Sequence, residues 1–340
     1  MHHNTLRGLG PAIRINRKSP NNDFRRSILI EDKTGMIVDR RYWLKKIIGR
    51  GGFGTVYLAI DAMKKEKVAL KIRDNRTSML SFSEKRITSE INALSQVNHR
   101  NIVSMKGAGV CNGESYVVME YLKGLDLEEY IQQEKMVPYP ETAHIVAQIC
   151  SGLGALHDKG IIHRDIKPHN VFLLQDGTVK IFDFDLSRFT GFEQSEPFEL
   201  MSGTILGTIS YLAPEIIKGS RPDHRADIYA VGVIMYKMLC GELPIVGEMP
   251  LHTITSILMK VPEPPSAKNP LVSDKTDRIV MRALEKDPDK RFASIMEMRD
   301  ALFAFPSFMQ NIRPLRIGIG PLGPDDPTIR MGQMTRSFGF

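Results

Sequence analysis

The chain has 340 residues, 42% hydrophobic and 25% charged, which is room for one large domain or two lobes sharing a cleft and not the composition of a disordered chain. Its net charge of +7 sits at its ends: residues 1–41 hold nine Lys/Arg against four Asp/Glu, residues 304–340 hold four against two, and the 262 residues between are neutral. Basic ends without interleaved aromatic residues argue against a nucleic-acid partner.

Residues 1–41 read as a basic extension without the apolar core of a signal peptide. Alternating apolar residues predict antiparallel strands from Trp43 to Tyr57 and from Lys67 to Arg73. From Phe82 to Val97, Ile87, Ile91, Leu94 and Val97 line one face of a predicted helix. Two more strands are expected at Ile102–Val110 and Ser115–Tyr121. Beyond Lys123 the pattern turns helical, with Glu141–His157, Asp227–Leu239 and Lys275–Glu285 separated by loops bearing Pro and Gly. The division is a β-rich portion over 42–121, a mainly α portion over 122–305 and a flexible tail, rich in Pro and Gly, over 306–340.

Between the first two strand segments lies Gly49-Arg50-Gly51-Gly52-Phe53-Gly54-Thr55-Val56, a G-x-G-x-x-G-x-V pattern. Glycines let a hairpin bring backbone N–H groups close to phosphate oxygens, although a plain turn or a dinucleotide fingerprint has the same look. The dinucleotide reading asks for a helix next, and Tyr57–Ile60 continues as strand. Lys71, in Val68-Ala69-Leu70-Lys71, can point from the following strand into a cleft as a point charge for two phosphates, with Glu90 of the helix as its partner.

The most informative segment is His163-Arg164-Asp165-Ile166-Lys167-Pro168-His169-Asn170. It resembles the H-R-D-x-K-P-x-N catalytic loop of the eukaryotic-like serine/threonine protein kinases of bacterial type, and further motifs of that family follow in order from Gly49 to Arg291. The resemblance implies an α+β bilobal fold, with an antiparallel sheet and one helix in the N-lobe and a larger, mainly α C-lobe. It implies ATP with Mg²⁺ or Mn²⁺ as cofactors and a protein Ser/Thr hydroxyl as acceptor. Asp165 would be the catalytic base, Lys167 would neutralise the transferring phosphate, and Asn170 and Asp183 would hold the metal. Gly49, Gly51 and Gly54 would cover the phosphates, which Lys71 would hold with Glu90 as its ion-pair partner. Val56 and Ala69 from above and Leu173 from below would enclose the adenine, with Met119 at the back and backbone groups near Glu120 and Leu122 reading its edge. Leu94, Met105, His163 and Phe184 match the positions that stack between the lobes.

Gly207-Thr208-Ile209-Ser210-Tyr211-Leu212-Ala213-Pro214-Glu215 resembles the G-T-x-x-Y-x-A-P-E segment that shapes the peptide-docking side. Thr208 would bridge to Asp165 and Lys167, Glu215 would pair with Arg291, and Asp227 would anchor the catalytic-loop backbone. Ser202 and Thr204 are the candidate sites of activating autophosphorylation, with Arg164 as the phosphate's partner. Trans-autophosphorylation requires at least transient self-association. Thr328 is a further phosphorylation candidate, for a phosphothreonine-reading partner. The chain departs from the family's D-F-G with Asp183-Phe184-Asp185, replacing a glycine hinge with a charged residue. That raises the alternative of a pseudokinase scaffold without catalysis; a small-molecule phosphotransferase stands third. The spacing of Cys111, Cys150 and Cys240 suits neither a disulfide framework nor a zinc site, and no stretch is long and apolar enough to span a membrane, so a cytoplasmic enzyme is expected.

Overall fold

The computed structural model describes residues 32–51, 54–73, 97–183 and 209–304. The chain divides into two compact units, Met1–Lys33 and Thr34–Phe340, and the second holds all of the described strands and helices. The predicted helix from Phe82 lies outside the described residues except for Val97, as does the tail from 306.

Strands β1 (Ile37–Val38), β2 (Tyr42–Gly51), β3 (Gly54–Asp61), β4 (Glu66–Ile72), β5 (Met105–Cys111) and β6 (Glu114–Glu120) form an antiparallel sheet in the order β1-β2-β3-β4-β6-β5. The sheet therefore takes in residues 37–38, which the sequence pattern assigns to the extension. Strand alternation gives it two apolar faces. Tyr57, Ala59, Val68, Leu70, Ile72, Tyr116 and Val118 pack on one, while Val56, Leu58, Ala69, Val117 and Met119 pack on the other. Strand β5 starts three residues later than expected because Ile102 is used elsewhere, in a parallel bridge to Ile181.

The second half carries a small antiparallel sheet of β7 (Gly124–Asp126), β8 (Val171–Leu174) and β9 (Val179–Ile181). Its helices are α1 (Leu127–Glu134), α2 (Tyr139–His157), α3 (Pro214–Ile217), α4 (Arg225–Cys240), α5 (Pro250–Met259), α6 (Pro265–Lys268), α7 (Asp274–Ala283) and α8 (Ile295–Phe303). Helix α2 begins two residues before the expected Glu141, since Pro140 is tolerated in a first turn where its missing N–H has no intrahelical partner to lose. Helix α4 is the pillar of this lobe. It buries 13 of its 16 residues, as a helix apolar on all sides must, and it packs against α2, α7 and α8. Caps define the ends: Asp126 accepts from Glu129 N–H at α1, Ser273 from Thr276 N–H at α7 and Ser294 from Glu297 N–H at α8. All three cysteines are free.

Candidate active site

The glycine hairpin is set by register. Gly49 faces Val56 and Gly51 faces Gly54 across β2 and β3, with residues 52–53 outside the described chain. Gly54 has φ +139°, and a Cβ there would lie 2.1 Å from the Ile72 carbonyl oxygen, so no other residue fits this approach of β3 to β4. Val56 pairs with Lys71, and Lys71 with Val117, which puts Lys71 by alternation on the sheet face that carries Val56, Ala69 and Met119. Its ammonium donates to Asp183 Oδ1. Glu90, the expected partner of Lys71, lies outside the described residues.

Asp183 adopts left-handed backbone, φ +59°, and follows Phe182, whose N–H donates to the Asn170 carbonyl at 3.0 Å. That bond joins the end of the catalytic loop to the Asp183 turn. Burial acts to raise the Asp183 pKa, but the charge of Lys71 and its bond, with Lys167 adding to them, hold the carboxyl below its ordinary value. Asp183 is therefore an anion pointed at cations.

In the loop itself, Lys167 Nζ donates to Asp165 Oδ2 at 2.9 Å, and Asn170 Nδ2 donates to Asp165 O at 2.8 Å and Oδ2 at 3.1 Å. With its nitrogen so engaged, Asn170 keeps its amide oxygen as the remaining acceptor. The loop hangs from α4. Asp227, buried in its first turn, accepts from His163 N–H and Arg164 N–H, both at 2.9 Å, and lies 2.8 Å from His157 Nε2. Arg164 has φ +63°, a backbone state that costs roughly 1–3 kcal/mol and persists only where its surroundings impose it. The Asp227 bonds impose it. Burial pushes the Asp227 pKa up, and the bond and charge of His157 more than offset that, so it too is held low. Sequence reasoning gives Asp227 its role and misses His157.

Below the docking segment, Arg291 donates to both oxygens of Glu215 at 2.8 Å and also to the carbonyls of Glu285 and Arg225. The expected pair is thus bidentate, with the Arg291 guanidinium buried and Glu215 partly so.

One expectation is corrected by strand alternation. Leu173 is fully buried in the large-lobe core, facing away from the sheet. It is Phe172 that packs with Ala69, Met119, Leu122 and partly buried Val56, its ring edge-on to Phe182 with centroids 6.0 Å apart. Neighbouring residues of β8 face opposite ways, so Phe172 and Leu173 lie on different faces of the strand. That signal was available in the sequence. At the junction of the lobes, Glu120 Oε1 accepts from Ser104 N–H at 2.8 Å and from Lys180 Nζ at 2.6 Å, while Glu120 N–H donates to Ser104 O. Met105 packs on the large-lobe core and His163 is buried. Leu94, Phe184, Asp185, Ser202, Thr204, Gly207, Thr208 and Thr328 lie outside the described residues.

Side by side in one cleft, then, are a glycine hairpin, a lysine, two acceptors suited to a divalent cation and a carboxylate flanked by an ammonium. Such a set of groups suits phosphoryl transfer, which defines the class. The protein kinase domain model matches residues 42–303, and the chain belongs to that family as a bacterial-type, eukaryotic-like serine/threonine member. It is 33% identical over 297 residues to the serine/threonine-protein kinase Pkn1 of Myxococcus xanthus, covering 84% of this chain and 42% of that protein. It is 34% identical over 268 residues to the serine/threonine-protein kinase PrkC of Bacillus subtilis, covering 78% and 40%, and 32% identical over 271 residues to pkn3 of M. xanthus, covering 78% and 50%. The chain thus spans about two fifths to half the length of these relatives. Among the described residues no helix is long and apolar enough to cross a membrane.

Proposed function

We propose that this chain transfers the γ-phosphoryl group of ATP to serine or threonine hydroxyls of proteins. The observation that carries the reading is the geometry around Asp165, a carboxylate fixed by Lys167 and Asn170 on a loop suspended from Asp227. A general base must be held where a hydroxyl can reach it, and its neighbour must tolerate the incoming phosphate charge. Asp165 accepts the hydroxyl proton in this reading, and Lys167 moves to the phosphoryl oxygens. The Asn170 amide oxygen and the Asp183 carboxylate fit a small divalent cation that takes one or two protein oxygens and completes its shell with phosphate and water. Mg²⁺ is the proposed metal, with Mn²⁺ as a substitute. A cation held by the Asn170 amide oxygen and the Asp183 carboxylate would supply positive charge to the phosphates. Lys71 must leave Asp183 for them, so the ion pair seen here is the state that nucleotide replaces. Val56, Ala69, Met119 and Phe172 provide the apolar walls for the base, in Leu173's stead, and Glu120 and Leu122 the backbone edge.

Autophosphorylation at Ser202 or Thr204 by a transiently associated second copy, with Arg164 receiving the phosphate, and a cytoplasmic setting complete the proposal. The test is transfer from γ-labelled ATP to the chain and to a basic protein, with Mg²⁺ or Mn²⁺. Label on serine or threonine is expected from the wild type and at least a hundredfold less from Asp165→Asn, on the order of one lost general base. Folded wild type that binds nucleotide and transfers nothing with either metal would sink the reading.

A further inference from the structure

Where β1, β2 and the β3–β4 turn meet, the small lobe has a corner that the transfer chemistry leaves unused. Register lines up Ile37, Trp43, Ile60 and Lys67 across β1 to β4, and residues paired in this way share a face of the sheet. Beside the row, Asp61 and Glu66 close a turn that is tied to Arg41, through the Arg41–Asp61 pair and a 2.9 Å bond from Ala62 N–H to the Arg41 carbonyl. Ile37 is 63% exposed, Met63 in that turn 76%, and Met36 and Trp43 each 47%. Trp43 is the only tryptophan of the chain, and Lys45 lies over its ring.

Single apolar residues on a surface are ordinary, but four at one corner, interleaved with lysines, are not. Residues 34–46 and 60–67 hold seven Lys/Arg against three Asp/Glu. Asp61 is engaged by Arg41 and Glu66 by Lys106 at 2.9 Å, while Asp39 accepts from the Tyr116 hydroxyl at 2.7 Å. Arg40, Lys64, Lys65 and Lys67 stand exposed, so the corner carries a positive excess. The segment that precedes β1 in the chain is basic too, with six Lys/Arg against two Asp/Glu over residues 1–31. The partner must therefore be anionic and must accept apolar side chains. A peptide groove does not fit, since side chains 47–76% exposed have no facing wall. Stacked nucleobases do not fit either, since the one exposed aromatic ring of the corner is already taken by Lys45. A membrane surface does fit: an anionic headgroup layer attracts Lys and Arg, and Trp, Met and Ile side chains enter the boundary beneath it.

We propose that this corner of the small lobe docks on an anionic lipid surface, with Ile37, Trp43 and Met63 entering the headgroup layer and Lys64, Lys65 and Lys67 facing the lipid charges. Both contributions are needed, because shallow insertion of a few side chains binds weakly and charge by itself is screened by salt. Ile60 and Lys67 pair at the opposite end of β3 and β4 from Thr55 and Ile72, so docking there leaves the glycine hairpin clear of the lipid. The inference is independent of the kinase reading, because it concerns binding alone.

Co-sedimentation of the full chain with vesicles, of phosphatidylcholine alone or of equal parts phosphatidylcholine and phosphatidylglycerol, tests it, and Trp43 reports insertion without a label. The wild type is expected to bind the anionic vesicles about tenfold or more tightly than the neutral ones, and to lose that binding as salt rises. Its Trp43 emission is expected to shift to the blue and to be quenched by brominated acyl chains. Lys64→Glu/Lys65→Glu/Lys67→Glu should weaken binding on the order of a hundredfold, the scale of three cations near an anionic surface. Ile37→Ser/Met63→Ser should weaken it about tenfold and keep the preference for phosphatidylglycerol. All five side chains are exposed, and circular dichroism checks that each variant is folded. Equal binding to both vesicle types, or none to either, overturns the proposal, as does binding that leaves Trp43 emission where it was. So does wild-type binding by the lysine variant, which would move the attraction to residues 1–31. Retention on immobilised poly-glutamate without vesicle binding would overturn it too, and would give the corner to an acidic polypeptide.

Discussion

The two lobes hold their charged residues in different ways. In the small lobe, the ion pairs sit at strand ends: Arg41 with Asp61 where β2 meets the end of β3, and Lys106 with Glu66 at the start of β4. Lys71 is aimed by sheet register and alternation, which depend on many backbone bonds at once. In the large lobe, single carboxylates act one at a time. Asp227 holds two loop N–H groups, and Glu215 meets one guanidinium. A lobe aimed by register spreads positioning over a sheet, whereas one suspended from single carboxylates concentrates it in a few atoms. Point changes should therefore act more sharply below the cleft than above it.

The sharpest break in that comparison is Asp227→Asn. An amide has one acceptor oxygen where the carboxylate has two, so it must present its NH₂ to one of the His163 and Arg164 N–H groups. One buried N–H is then unsatisfied, at about 1–3 kcal/mol, and the left-handed Arg164 loses part of its restraint. We expect kcat to fall on the order of a hundredfold, the scale of a small misplacement of a catalytic group, with the KM for ATP little changed. Steady-state kinetics on folded variant, checked by circular dichroism, decides it. A kcat within threefold of wild type would mean that the loop holds itself.

The next sharpens the boundary between the lobes. Leu173→Ala should lower unfolding free energy by about 2–5 kcal/mol, as for other large-to-small core changes, while nucleotide affinity in the folded fraction stays as it was. Phe172→Leu should do the reverse, with a smaller stability loss and weaker binding of an adenine nucleotide. Urea melts and fluorescence titration with an ATP analogue compare the two. Equal effects on affinity would return Leu173 to the pocket.

Much of this was legible in the sequence because local patterns dictate it. Alternation in Val68-Ala69-Leu70-Lys71 places Lys71 on the face opposite Leu70, and the largely apolar run of α4 forces burial. The catalytic loop could be read because its residues act within eight positions of one another. What escaped has another origin. His157 reaches Asp227 across 70 positions, and Glu128 reaches Lys237 across 109, so neither partner is marked by spacing. Leu173, the residue the resemblance implies, faces the large-lobe core and Phe172 the small lobe, because one step along a strand moves a side chain to the opposite face. Strand β5 began late because Ile102 found a partner in Ile181, a pairing between lobes that no local propensity encodes.

The smallest expected effect lies in the small lobe and is one of pH. Two bonds from Arg41 at 2.9 and 2.7 Å hold Asp61, with Met63 N–H and Lys64 N–H adding to them, and this lowers its carboxyl pKa from 3.8 to about 2 against a smaller opposing effect of burial. Because the folded value lies below the unfolded one, folding favours the ionised form. The contribution is complete above the unfolded pKa of about 4 and is lost as pH falls through the folded value of about 2. The Arg41 side chain is 29% exposed, so solvent screens the pair and its share is modest. Urea midpoints of wild type and Asp61→Asn should therefore differ most above pH 5 and converge toward pH 2. A gap that stays constant over that range would assign the role of Asp61 to the hydrogen bonds an asparagine cannot copy, and would show that even in the register-held lobe a turn can depend on one side chain.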